Sequence, residues 1–198
     1  MRKRVHYPRI VLTGVICLLL VGCAASSQAL QAGNTVPPVA QITPSSASSL
    51  SAVNWANFTY SSSCYQNTQP FHTHNGQAVN GPVHFVVYAP VYGDLTGDGQ
   101  PEAVVPYRCS AADAGGERVF VYSGTSSHPY LLGDLPLPDP KGAIANVTGI
   151  SISNEALHLE GGGYSPTAPH CCPDLFIKTN YRWDKGKFVI TQAEVRKQ

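Results

Sequence analysis

From Val83 onward, apolar and polar residues alternate in short runs broken by Gly, Pro, Asn and Asp. That two-residue period is the pattern of strands, not of helices. Val83, Phe85 and Val87 form a wholly apolar face, while His84, Val86 and Tyr88 form a mixed one. After a turn-rich break come Ala103-Val104-Val105-Pro106-Tyr107 and then Val119-Phe120-Val121-Tyr122, with Ala111 to Glu117 read as a glycine-containing loop between them. Further strands are expected over Thr148 to Ser153, Ala156 to Glu160, Leu175 to Trp183 and Lys187 to Val195. The last two flank Asp184-Lys185-Gly186, a hairpin signal. No amphipathic helical run separates these segments, so the expected class is mainly β, a single antiparallel sheet or meander. One short N-terminal helix is expected over Ser51 to Phe58, where Trp55 and Phe58 stand three apart and Ser51 is placed to cap.

The start of the chain has a different pattern. Arg2, Lys3, Arg4 and Arg9 precede an almost uninterrupted apolar run from Ile10 to Val21, the layout of a signal peptide. The run is shorter than the roughly 20 residues that a membrane-spanning helix needs. It ends in Leu20-Val21-Gly22-Cys23, which resembles the lipobox of bacterial lipoproteins. The resemblance implies cleavage before Cys23, acylation of its thiol and a domain held to a membrane outside the cytoplasm, in the cell envelope. Residues 1–22 are thus expected to be signal and residues 23–50 a tether. From Ala24 to Leu50 the chain is rich in Ala, Ser, Gln, Thr and Pro without a charge, a composition unable to bury enough apolar surface to offset ordering. As a flexible coil it would hold the domain on the order of 30 Å from the lipid. Residues 51–198 are one domain's worth of chain.

Removing the signal takes the formal net charge from +1 to −3, since it carries four basic residues and no acidic one. A weakly acidic chain with scattered Lys and Arg has no electrostatic footprint for nucleic acid. Cys64, Cys109, Cys171 and Cys172 remain once Cys17 and Cys23 are set aside. In an oxidising compartment four thiols imply two disulfides. Because a ring between adjacent cysteines is strained, Cys64 and Cys109 are each expected to bond one member of Cys171-Cys172, in either order.

One loop has the spacing of a cation site: Asp94, Thr96 and Asp98 at positions one, three and five, Gly99 at six, the Gln100 carbonyl at seven and Glu102 at nine. Calcium takes six to eight oxygen ligands, which alternate positions around a glycine turn can supply. Val105 stands where an EF-hand has its bidentate glutamate. The loop is more similar to the Asp-x-Asp-x-Asp-Gly-x-x-Asp loops of FG-GAP repeats, with Thr96 and Glu102 as departures. That resemblance implies bound calcium; the plainer reading is an Asp-Gly turn facing solvent. Farther on, His170-Cys171-Cys172-Pro173 followed by Tyr181-Arg182-Trp183, in a chain with a lipobox, resembles the LppP/LprE family of actinobacterial lipoproteins. This implies an envelope address and a domain type, not a reaction.

No catalytic residues are nominated. His72 and His74 are spaced to share a strand face, but no third metal ligand is visible for them, His84, His128, His158 or His170. Gly161-Gly162-Gly163-Tyr164-Ser165-Pro166 lacks the setting of a nucleophile elbow and reads as a loop between strands. Glu155, Glu160 and Asp174 have no context for paired-carboxylate chemistry. Asn57 and Asn146 begin Asn-x-Thr sequons without consequence in a bacterial chain. The function expected is non-enzymatic: a lipid-anchored β domain for binding or structural interaction with an envelope protein or ligand. The alternative is an envelope hydrolase assembled from residues distant in sequence. A buried cluster of His, an acid and a Ser or Cys would favour the hydrolase; an exposed aromatic or apolar patch would favour binding.

Overall fold

Ala103–Val105 and Val119–Tyr122 are apolar at consecutive positions, so neither segment can be satisfied by a sheet with one wet face. A computed structural model describes residues 49–61, 64, 69–111, 114–138, 146–169 and 172–198. In it the strands are β1 (Thr59–Tyr60), β2 (Phe71–His72), β3 (Gln77–Asn80), β4 (Val83–Val87), β5 (Val91–Gly93), β6 (Glu102–Ala111), β7 (Ala114–Thr125), β8 (His128–Pro136), β9 (Asn146–Ser153), β10 (Ala156–Gly163), β11 (Leu175–Asp184) and β12 (Lys187–Lys197). The described chain lies within one unit, Ile42–Gln198. The signal, Cys23 and the tether up to residue 48 lie outside the described residues. Among those described, no helix is long and apolar enough to cross a membrane.

The fold is mainly β, and the two doubly apolar strands are its centre. β6 and β7 pair antiparallel inside a sheet ordered β3-β4-β6-β7-β8, with β5 also on β6. One face carries Phe85, Val105, Tyr107 and Phe120 and is covered by Leu50, Trp55, Tyr60 and Phe71 from the N-terminal segment. The other carries Val104, Val119 and Val121 and packs on Leu157, Leu159 and Ile177 of a second sheet, ordered β12-β11-β10-β9. The expected single sheet is therefore three sheets, counting the β1–β2 ribbon. One sheet can bury only one face of β6 and β7 against itself, so both faces need their own cover.

Within the second sheet the hairpin expected at Asp184-Lys185-Gly186 forms, and a second, not expected, joins β9 to β10. Lys185 and Gly186 have φ of 48° and 84°, and Asn154 and Glu155 have 51° and 56°. Two consecutive positive values are what a two-residue hairpin loop needs. Gly161–Gly163, expected to be a loop, are the end of β10. A Cβ at Gly161 would sit 1.9 Å from the Asn146 carbonyl oxygen, so glycine is required there by close backbone approach. The expected loop from Ala111 to Glu117 is also mostly strand, with β6 running to Ala111 and β7 starting at Ala114.

The N-terminal helix is replaced by two 3-10 turns, Leu50–Ala52 and Trp55–Asn57, the first capped by Ser49 and not Ser51. Propagation stops because Phe58 is extended and already bonded: its carbonyl accepts the Thr73 N–H, and its N–H donates to Thr73 Oγ1.

The disulfide pairing also differs from expectation: Cys64 bonds Cys109 directly, with Cα atoms 6.0 Å apart. Cys109 faces the first core from β6, and the N-terminal segment that covers that core carries Cys64 across it. Cys172 is disulfide-bonded to a partner outside the described residues. A non-reducing peptide map should therefore yield a Cys64–Cys109 cross-link, and a Cys64→Ser, Cys109→Ser double variant should lose about 4 kcal/mol of stability for a bridge spanning 45 residues. A map joining either cysteine to the Cys171-Cys172 pair would refute this pairing.

Candidate functional site

The acidic loop is organised by its own backbone. Gly97 and Gly99 have φ of 78° and 82°, which bends the chain back over Asp94. Asp94 Oδ1 accepts the Gly97 N–H at 2.7 Å, and Oδ2 accepts the Gly99 N–H at 2.9 Å. Asp98 Oδ1 accepts the Gln100 N–H at 2.8 Å. Glu102, the ninth position, does not join them. It is wholly buried. Its Oε2 accepts the N–H groups of Leu95 (2.7 Å) and Thr96 (3.2 Å), and its Oε1 accepts the hydroxyls of Ser123 (3.1 Å) and Thr96 (3.4 Å).

A buried carboxylate met by four donors is a structural clamp, tying the loop to β6 and β7. Among the described residues no three His, Cys, Asp or Glu side chains are grouped to hold a metal ion. Of the candidate donors Asp94, Thr96, Asp98, Gln100 and Glu102, the Glu102 carboxylate is turned into the core, and those of Asp94 and Asp98 accept N–H groups of their own loop. Glu102→Ala should destabilise the fold by about 2 to 3 kcal/mol, because the buried N–H groups of Leu95 and Thr96 lose their acceptor. Millimolar calcium should leave the melting midpoint of the parent unchanged, whereas a ligand bound only by the native state would raise it.

The histidines do not converge. His72 Nδ1 is 2.9 Å from Thr59 Oγ1, and His74 and His84 are exposed. His170 lies outside the described residues. Ser165 donates its hydroxyl to Asp174 Oδ2 at 2.6 Å and its N–H to Oδ1 at 2.7 Å, which clasps a loop. Those hydrogen bonds hold the Asp174 carboxyl below its ordinary range. Glu155 lies in a hairpin turn, and Glu160 pairs with Lys178 at 2.6 Å.

As His128 does with Ser127 and Thr125 in the β7–β8 turn, His158 belongs to a chain of polar groups, here on the outer face of the second sheet. Ser153 Oγ lies 2.9 Å from Nε2, Asn180 Oδ1 lies 2.8 Å from Nδ1, and Asn180 Nδ2 donates to Gln192 Oε1 at 3.0 Å. Since the amide oxygen can only accept, Nδ1 carries the proton and Nε2 faces the Ser153 hydroxyl as acceptor. These side chains line a shallow cavity of about 360 Å³. Ser153 stands on β9, His158 on β10 and Asn180 on β11, three strands paired in that order.

A second depression has another chemistry, and two prolines make it. β4 and β5 both pair with β6, on the same edge, but the chain between them, Tyr88-Ala89-Pro90, leaves the ladder. Opposite that break is Pro106, whose carbonyl accepts the Tyr88 N–H; its nitrogen faces the same side and has no proton to offer. A central strand tolerates proline only where the neighbouring strand makes no demand on it. The gap opens into a cavity of about 380 Å³ bounded by Trp55, Tyr88, Pro90, Tyr92, Asn54 and Asn75.

Trp55 forms the floor, 4% exposed, its ring 4.9 Å from Tyr122 and 5.0 Å from Phe58. Its indole N–H donates to the Tyr92 hydroxyl at 3.2 Å, which leaves the phenol proton of Tyr92 to be given elsewhere. Tyr88 and Tyr92 stand 43% and 36% exposed above it. The rim is held by an asparagine relay: Asn57 donates its amide to Asn54 Oδ1, and Asn57 Oδ1 accepts the Asn75 N–H.

Beyond Tyr88 lies a further cavity of about 280 Å³, reaching Pro106, Glu117 and Thr148. The Tyr88 hydroxyl points at Glu117 Oε1 at 3.4 Å. Burial raises the Glu117 carboxyl above its ordinary value, opposed by the Val147 N–H, the nearby Arg108 charge and the Tyr88 hydrogen bond. Burial, and then Glu117, raises Tyr88.

Sequence reasoning missed this region. Tyr88 was visible only as the end of a strand's mixed face, and Trp55 as part of a helix. The signal that marks it is proline: one between two tyrosines and another inside a strand. No family model, curated protein or solved structure matches the chain.

Proposed function

We propose that this chain is an exported, lipid-anchored protein of the cell envelope whose β domain binds a ligand in the groove of Trp55, Tyr88 and Tyr92 and performs no reaction on it. The observation that carries the reading is the pair of exposed tyrosines over a buried tryptophan. Aromatic rings with one polar end are the side chains that bind best at low entropic cost, and pockets that hold ligands combine such walls with few polar groups. The basic start, the short apolar run and Leu20-Val21-Gly22-Cys23 support the address, as does a disulfide-bearing fold, which suits an oxidising compartment.

Two experiments test the two halves. A photo-cross-linking residue in place of Ala89, beside the groove, should give discrete adducts in intact cells that vanish with Tyr92→Ala, while the same residue in place of Gln192 should give none. Equal adducts from both positions would defeat the binding reading. Cys23→Ala should move the exported protein from the membrane fraction to the soluble one; retention of the variant in membranes would defeat the anchor.

A hydrolytic reading has one observation behind it, the Ser153–His158–Asn180 chain. Nucleophile, base and orienting group are in hydrogen-bond reach of one another. Asn180, however, carries no charge to stabilise an imidazolium, and an amide in place of a triad carboxylate costs about 10⁴-fold in rate. A fluorophosphonate probe should therefore leave Ser153 unmodified. Labelling of Ser153 that disappears in His158→Ala would reinstate the hydrolase.

A further inference from the structure

We infer that the groove takes a neutral, extended, polyhydroxylated chain: a glycan strand and not a proline-rich peptide. This rests on the reading that the groove is the binding site, and deepens it by naming the ligand's chemistry. Three features of the lining carry it.

The first is length. The two cavities, about 380 and 280 Å³, have Tyr88 as a shared lining residue, with Trp55 in the first and Thr148 in the second. Each approaches or exceeds the roughly 300 Å³ at which drug-sized sites begin. Two such spaces with a shared lining residue suit a chain of repeating units.

The second is charge. Among the described residues lining both cavities, the sole ionisable side chain of a charged type is Glu117, and the positive charge of Arg108 already acts on it. An anionic chain would meet no cation in the groove. A cationic ligand would compete with Arg108 for the one carboxylate.

The third is the balance of donors and acceptors. Glu117 has two acceptor oxygens, and the Asn54 and Asn75 amides both accept and donate. The Tyr92 hydroxyl accepts from Trp55 and has its proton to give. A hydroxyl-bearing ring answers all of these, since each hydroxyl donates and accepts while its C–H face lies on a tyrosine ring. Polyproline segments also dock on aromatic-lined grooves, but proline has no backbone N–H. Such a ligand would supply no donor to the lone pairs of Glu117 that the Val147 N–H and the Tyr88 hydroxyl leave free, nor to the Asn54 and Asn75 amide oxygens.

The test is calorimetric titration of the full mature chain with four probes: cellohexaose, maltohexaose, polygalacturonate and decaproline. Saturable heat from at least one neutral hexaose, with none from polygalacturonate, is the expected result. For the hexaose that binds, Tyr92→Ala should weaken affinity about tenfold, equivalent to the 1.4 kcal/mol that one aromatic face contributes. Tyr92→Phe keeps the ring, guards against loss of fold and should weaken it by less; Glu117→Gln should also weaken it, and His158→Ala should not. Binding of decaproline in place of the hexaoses overturns the glycan assignment, as does equal binding of polygalacturonate. If no hexaose binds while Ala89-directed adducts persist in cells, the ligand class is wrong and the binding reading stands. If the adducts are absent too, both fall.

Discussion

Burial of the β6–β7 ladder on both faces is the constraint from which the rest of the architecture follows. Ala103, Val104, Val105, Val119, Phe120 and Val121 are all wholly buried. Each large apolar side chain among them contributes about 1.5 to 3 kcal/mol on burial. That gain is available only if one layer covers each face. The second sheet supplies one cover, and the N-terminal segment, crosslinked through Cys64 to Cys109, supplies the other. A segment with only two 3-10 turns and two short strands would hold this position poorly by hydrogen bonds alone, which is why a covalent tie sits there.

Polar groups drawn into this interior are met in kind. Glu102 enters the core at the first residue of β6 and there collects the N–H groups of a loop that would otherwise have nowhere to direct them. Tyr107 and Arg118 both converge on Asp134, the hydroxyl at 2.9 Å and the guanidinium at 2.8 Å. Tyr181 donates to the Pro136 carbonyl, and burial pushes its phenol up to about 12. These bonds fix which face of each strand points where, since a one-residue slip would move every one of them to the wrong side of its sheet.

The groove is the exception that the same ladder permits. A strand saturated with hydrogen bonds has a flat edge, and Pro90 and Pro106 each withhold an N–H donor at one place along it. The neighbouring chain leaves the sheet there, and its tyrosines turn outward over Trp55. The polar cleft around His158 arises differently, from side chains that meet across paired strands. One depression therefore has the walls of a binding site, and the other is a hydrogen-bonded sheet face.

The strand class, most strand positions and the Asp184-Lys185-Gly186 hairpin were legible in the chain because they depend on local alternation and on which residues accept positive φ, both properties of a few consecutive residues. Val83–Val87 is an example: its alternating apolar face is the one that meets the core. The direction of Glu102 was not legible, because the spacing of oxygens along a loop is the same whether the ninth side chain turns to a cation or into the core, and burial by β7 decided it. Cys64 and Cys109 were recognisable as half of a disulfide set, but pairing is a matter of Cα separation across the fold. Trp55 and Tyr92, 37 residues apart, meet for the same reason. The sequence by itself determined where the chain can be extended and where it must turn; only the tertiary structure decided which extended segments share a layer, because covering both faces of β6 and β7 is a demand that no single segment can express.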